Sequence, residues 1–83
     1  MIIYNYTFKI KDKKVLNNIK RRFYYNFNTK IRKKSTKISK NLFFIDSNND
    51  LEVEDFFKEF SGFLEVHKIR AESIEKILEV TPP

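Results

Sequence analysis

The sequence predicts an α+β fold in the order strand, helix, strand, strand, helix, with a three-stranded antiparallel sheet and two helices packed on one face. Three observations carry this expectation. Residues 2–10, IIYNYTFKI, place apolar side chains in steps of two, the period of a half-buried strand. Apolar residues then recur in threes and fours over 13–27 and again over 50–79, the spacing of amphipathic helices. Between the helices lie two β-prone runs, 30–39 and 41–47, close enough in sequence to form a hairpin. Eighty-three residues make one small domain, and a chain of this size has a thin stability margin.

In the first strand Ile2, Tyr4, Tyr6, Phe8 and Ile10 oppose Ile3, Asn5, Thr7 and Lys9. Asp12 is placed to cap the helix that follows, whose apolar stripe is Val15 or Leu16, Ile19, Phe23 and Phe27. Lys20 and Arg21 occupy the opposite face, with Arg22 at its margin. The run 30–40, KIRKKSTKISK, holds six bases and no acid. With Ile31, Thr36 and Ile38 it reads as a polar strand whose lysines guard an edge or meet phosphate; Lys30, Arg32, Lys33, Lys34 and Lys37 are the candidates for the second role. NLFFIDS, 41–47, is apolar without alternation and reads as a central strand, with Lys40 and Asn41 near the hairpin turn.

Asn49 and Glu52 resemble a capping box, and Glu52, Glu54 and Asp55 crowd a first turn, where the helix dipole favours negative charge. Val53, Phe56, Phe57, Phe60, Phe63, Leu64, His67, Ala71, Ile74, Ile77 and Leu78 continue the stripe. Gly62, the only glycine in the chain, costs a helix about 1 kcal/mol relative to alanine. It is read as a point of close packing beside Ser61. The competing arrangement is a helix, a glycine stop and a fourth strand over 63–70. As a strand that segment has no clean face, so its spacing favours one long helix, broken at most near 61–70. A split crossover then puts the third strand between the first and second. The edge bearing Tyr4, Tyr6 and Phe8 is left bare, and a bare apolar edge invites pairing with another chain.

Charge divides the sequence. Residues 1–40 carry thirteen Lys or Arg against one acid, Asp12, a net +12, and residues 41–83 carry four bases against ten acids, a net −6. A basic half of this strength attracts polyphosphate, although a solvated surface accounts for it as well. Several chemistries are excluded. Without cysteine there is neither a disulfide framework nor a thiolate metal site, and a lone histidine, His67, has no partner for nucleophilic or zinc chemistry. One glycine cannot build a glycine-rich phosphate loop. Asp46, Asp50 and Asp55 are explained by turns and helix-end electrostatics. No enzymatic activity, cofactor or metal is expected. No apolar run is long enough to span a bilayer and no signal-peptide pattern precedes the first strand, so an intracellular chain with no membrane partner is expected.

The stretch FFKEFSGFLEVHKIRAESIEKI resembles the C-terminal helix of the Pcc family, the small dimerisation subunit of the KEOPS complex. The likeness is carried by Ser61, Gly62, Phe63, Leu64, Glu65, Val66, Ile69, Glu72, Ser73 and Ile74. KNLFFIDSNNDLEVEDFF is similar to the family's apolar strand, acidic turn and helix start, and YNYTFKIKDKKVLNNI fits its first strand and helix by residue type. The resemblance implies a divergent member or a paralogue. It implies a non-catalytic scaffold that dimerises with itself or a paralogue and holds the catalytic ATPase-fold subunit of a complex that modifies tRNA with threonylcarbamoyl. Ile19, Phe23, Phe60, Ser61, Gly62, Phe63, Leu64 and His67 would then line or adjoin that contact, and tRNA is a possible further partner. For Phe56, Phe60 and Leu64, packing on the chain's own sheet is the simpler reading.

The strongest rival is a free-standing ferredoxin-like RNA-binding domain of RRM type. Tyr4, Tyr6, Phe43 or Phe44 would be its stacking platforms and Lys30 to Lys40 its backbone clamp. It requires the fourth strand. A small viral or accessory protein that docks on a host enzyme is a third reading.

Overall fold

The computed structural model describes residues 1–72. Its elements are β1 (Ile2–Phe8), α1 (Lys13–Lys30), β2 (Ser35–Ser39), β3 (Leu42–Ile45), α2 (Asp50–Lys58) and β4 (Leu64–Arg70), with short 3₁₀ turns at Arg32–Lys34 and Ser47–Asn49. The four strands form one antiparallel sheet in the order β2-β3-β1-β4. This is the β-α-β-β-α-β arrangement of ferredoxin-like folds. The α+β class, the two helices and the position of β3 between β1 and β2 are as the sequence predicts. The sheet has a fourth strand that the expected order lacks.

That strand corrects the long helix over 50–79. α2 ends at Lys58, Phe60 tucks into the core, and the chain turns through Gly62 at φ +91° before β4 begins. A side chain is rarely tolerated at such a φ. A Cβ at Gly62 would meet nothing within 4 Å, so glycine is needed there for backbone conformation, and the close-packing role is withdrawn. Residues 73–79 of the expected helix lie outside the described residues.

β4 lacks a clean apolar face for a physical reason. Leu64, Val66, Lys68 and Arg70 lie opposite Phe8, Tyr6, Tyr4 and Ile2, on the side of the sheet that the helices cover. Two of those four are cations. Lys68 reaches acceptors on α2, since its Nζ lies 2.9 Å from Asp50 Oδ2 and also bonds Glu54. A cation satisfied in this way occupies an inward position and breaks the alternation that a sequence reader looks for.

The bare-edge expectation falls with the same correction. β1 pairs with β3 through Ile2–Asn5 and with β4 along its whole length, Ile2 opposite Arg70 through Phe8 opposite Leu64. Tyr4 and Tyr6 are buried and Phe8 is partly buried, so none of the three is available as an edge. Among the described residues, the edge strands are β2 and β4.

Asp12 caps α1 as expected, its side chain accepting from the N–H groups of Lys14 (2.9 Å) and Val15 (3.1 Å). The helix continues to Lys30, and Ile31, fully buried, closes its end. The basic run is therefore not one strand from residue 30: its first residues are helix end and 3₁₀ turn, and β2 begins at Ser35. Asn41 makes the hairpin turn at φ 63°, a left-handed position that asparagine tolerates. Asn49 does not make the expected capping box, because its side chain makes no cap bond. Asp50 and Glu52 still lie in the first turn of α2.

Both helices pack on the sheet face that bears Ile2, Tyr4, Tyr6, Phe43 and Ile45. The core between them is aromatic. Phe23 lies with its ring centroid 4.9 Å from Tyr6, 5.1 Å from Phe56 and 5.3 Å from Phe60, and Phe27 meets Phe43 edge-on at 5.2 Å. These separations suit offset and edge-to-face pairs. The opposite face of the sheet, with Ile3, Asn5, Thr7, Phe44, Glu65, His67 and Ile69, carries neither described helix.

Candidate nucleic-acid interface

Most cations of the basic half lie on α1, the 3₁₀ turn after it and the β2–β3 hairpin. α1 contains no acid in its eighteen residues, KKVLNNIKRRFYYNFNTK. Lys13 and Lys14 stand in its first turn, where the positive end of the helix dipole disfavours cations. The core stripe of Ile19, Phe23 and Phe27 turns inward, and Arg21 and Tyr25 are left on the outer face, Tyr25 72% exposed. Lys20 and Arg22 lean back over aromatic rings, 5.5 Å from the centroid of Phe8 and 5.4 Å from that of Phe60.

A cleft of about 470 Å³ opens between the C-terminal half of α1 and the β2–β3 hairpin. One wall is Tyr24, Phe27 and Asn28 of α1, the other is Lys37, Ser39 and Lys40 of the hairpin, and Arg32 closes one end. Tyr6 and Phe43 lie at its base, where the Tyr6 hydroxyl donates to that of Tyr24 over 3.4 Å. Burial first, and that hydrogen bond second, push the Tyr6 phenol well above its ordinary range. Asn41 also lines the cleft, and its Oδ1 is buried with no donor. Among the described residues, no acidic side chain lines the cleft.

The five basic candidates separate into two groups. Lys30 Nζ lies 3.5 Å from Glu59 and Lys34 is bonded to Glu52, so both are paired with α2. Among the described residues, no carboxylate lies within ion-pair distance of Arg32, Lys33 or Lys37, nor of Lys40. Arg32, Lys37 and Lys40 are the three that meet at the cleft. The spacing of Tyr24, Phe27 and Asn28 at i, i+3 and i+4 could have placed them on one helix face beside a hairpin. It was obscured because Phe27 belongs equally to the core stripe.

The expected partner-binding residues do not form one surface. Ile19, Phe23 and Phe60 are core. Ser61 and Gly62 are in the turn, Phe63 and Leu64 are partly buried, and His67 is exposed on the open sheet face with its Nε2 3.4 Å from Glu65. Of the expected stacking platforms, Tyr4, Tyr6 and Phe43 are buried under the helices and Phe44 alone lies on the open face.

A second polar cluster locks β4 to α2. Tyr4 donates its hydroxyl to Asp50, and Arg70 approaches the same carboxylate at 3.8 Å beside Lys68. Burial would raise the Asp50 carboxyl, but the hydrogen bonds from Tyr4 and Lys68 and the charges of Lys68 and Arg70 outweigh it and hold it below the usual carboxylate range. The bond to Glu54 is the main cause that pushes the Lys68 ammonium up. Burial, then the bond to Asp50, pushes up the Tyr4 phenol. Both charge signs are matched within this cluster, which suits it to a structural role.

Among the described residues no group of three or more acidic or histidine side chains is gathered as metal ligands, and no helix is long and apolar enough to cross a membrane. Comparison with family models, curated proteins and solved structures finds no match to this chain.

Proposed function

We propose that this chain binds single-stranded RNA along the basic side formed by α1 and the β2 edge, and not on the open face of its sheet. The observation that carries the reading is the cleft, where three cations with no acidic partner among the described residues stand across from an aromatic wall. Cations that track a phosphate backbone beside aromatic rings that accept bases are the two components of single-strand recognition. Lysines at the disfavoured end of α1 fit the same role, since they lower helix stability while adding to the attracting field. The open face offers a base only Phe44 and His67, the latter already beside Glu65, which is why the RRM-type placement is not preferred. The scaffold role implied by the Pcc resemblance draws its contacts from Ile19 and Phe23 on the first helix and from Phe60 to His67 on a second helix over 50–79. With Leu64–Arg70 in a strand, those residues no longer share a helix face.

Fluorescence anisotropy with a short single-stranded RNA across a salt series tests the reading. Affinity is expected to fall as salt rises, with a log–log slope of about −0.7 per phosphate neutralised. Replacing Arg32 and Lys37 together by glutamine should flatten that slope by about 1.4, while Lys58→Gln on α2 leaves it unchanged. Absence of binding at low salt, or a slope indifferent to the double substitution, would overturn it.

A further inference from the structure

We infer that the cleft between α1 and the β2–β3 hairpin is a seat for one nucleotide, holding the base against Tyr24 and Phe27 and the phosphate among Arg32, Lys37 and Lys40. The inference rests on the RNA-binding reading and narrows it from a charged surface to a defined pocket.

Charge alone would make the site an anion trap, and three features take it further. The first is size: about 470 Å³ is within the range of small-ligand sites and far more than an inorganic anion fills. The second is the division of the lining. Aromatic rings stand on the α1 wall and the cations on the hairpin and at Arg32, so a ligand must be planar and apolar at one end and anionic at the other. The third is the carboxamide chemistry. Asn28 stands on the α1 wall with both donor and acceptor capacity, and the Asn41 oxygen is buried without a donor. Base edges carry N–H groups that match such acceptors. A phosphorylated sugar lacks the plane and a free base lacks the charge, whereas a nucleotide has both.

Backbone NMR of the full chain, titrated separately with adenosine monophosphate, ribose 5-phosphate, adenosine and inorganic phosphate, reads the pocket directly. The monophosphate is expected to shift the amides of Asn28, Lys37, Lys40 and Asn41 and to bind at least about fivefold tighter than ribose 5-phosphate, the low end of what stacking one base contributes. It should also bind tighter than adenosine, and Lys37→Gln should shrink that second ratio while leaving the first in place. Lys37 is exposed, so its replacement leaves the core intact. If ribose 5-phosphate or inorganic phosphate binds as well as the monophosphate, or if the responding amides lie elsewhere, the pocket is refuted.

The two readings fail separately. RNA binding that shifts α1 and β2 but spares the cleft amides refutes the pocket and keeps the RNA reading. Seating of the monophosphate by a chain that ignores RNA refutes the RNA reading and retains a nucleotide pocket.

Discussion

Single residues decide two properties of this fold. Gly62 holds a φ of +91° with open space around it, so Gly62→Ala introduces backbone strain with no compensating contact. It should lower stability by about 1–2 kcal/mol in urea denaturation, with Ser61→Ala next to it nearly neutral. Asp50 sets the response to acid. Its folded-state pKa is depressed, so in the acid range the unfolded chain binds the proton more readily than the folded one. The stabilisation is present above the unfolded value of about 3.9 and is lost as pH falls through the folded value. A stability–pH profile should therefore fall below about pH 4, and Asp50→Asn should flatten that limb while lowering stability at neutral pH by about 1–3 kcal/mol.

At the scale of elements, β4 is the piece on which the architecture turns. Lys9 N–H donates to the Phe63 carbonyl and Ala71 N–H to the Met1 carbonyl, which fixes the alternation of the ladder. The N–H groups of Glu65, His67 and Ile69 face β1, and those of Leu64, Val66, Lys68 and Arg70 face outward. His67→Pro should thus cost about 1–3 kcal/mol through a broken ladder bond and an unsatisfied carbonyl, while Arg70→Pro costs less; thermal melts of the two variants separate the effects. Sequence reading reached β1, the Asp12 cap, the β2–β3 hairpin and the start of α2 because each announces itself locally. It missed β4 because three and four are also the gaps between Phe60, Phe63, Leu64 and His67, residues that the structure scatters over the core, a turn and both faces of a strand. The inward cation Lys68 is understandable only once Asp50 and Glu54 are beside it, a long-range contact that no periodicity carries. Likewise Lys30 and Lys34 look equivalent to Lys37 in sequence, and only the packing of α2 shows that Glu59 and Glu52 occupy them.

For the molecule as a whole, the +12 half lies mostly on α1, the 3₁₀ turn after it and the β2–β3 hairpin with few partners, and mutual repulsion there opposes folding. Salt screens such repulsion over about 8–10 Å. The ion pairs that salt would weaken, Lys9 with Glu65, Lys30 with Glu59, Lys34 with Glu52 and Lys58 with Asp55, are exposed, and each is worth little. Screening should win, so the melting temperature should rise between low and moderate salt. A gain of about 1 kcal/mol corresponds to roughly 4–8 °C in a domain of this size. A fall in the melting temperature would show that the bridges to α2 outweigh the repulsion.

The pairing of β1 with β4 joins the first strand of the described chain to the last, Ile2 with Arg70 and Phe8 with Leu64. During synthesis β1 leaves the ribosome before α1, β2, β3 and α2 and waits for all of them before this partner exists. Contacts so distant along the chain close late and slow the search. Meanwhile the α1–β2–β3 portion emerges first, strongly cationic and still without the acids of α2 that neutralise Lys30 and Lys34. The nascent chain therefore has its strongest attraction for polyanions before its sheet is complete.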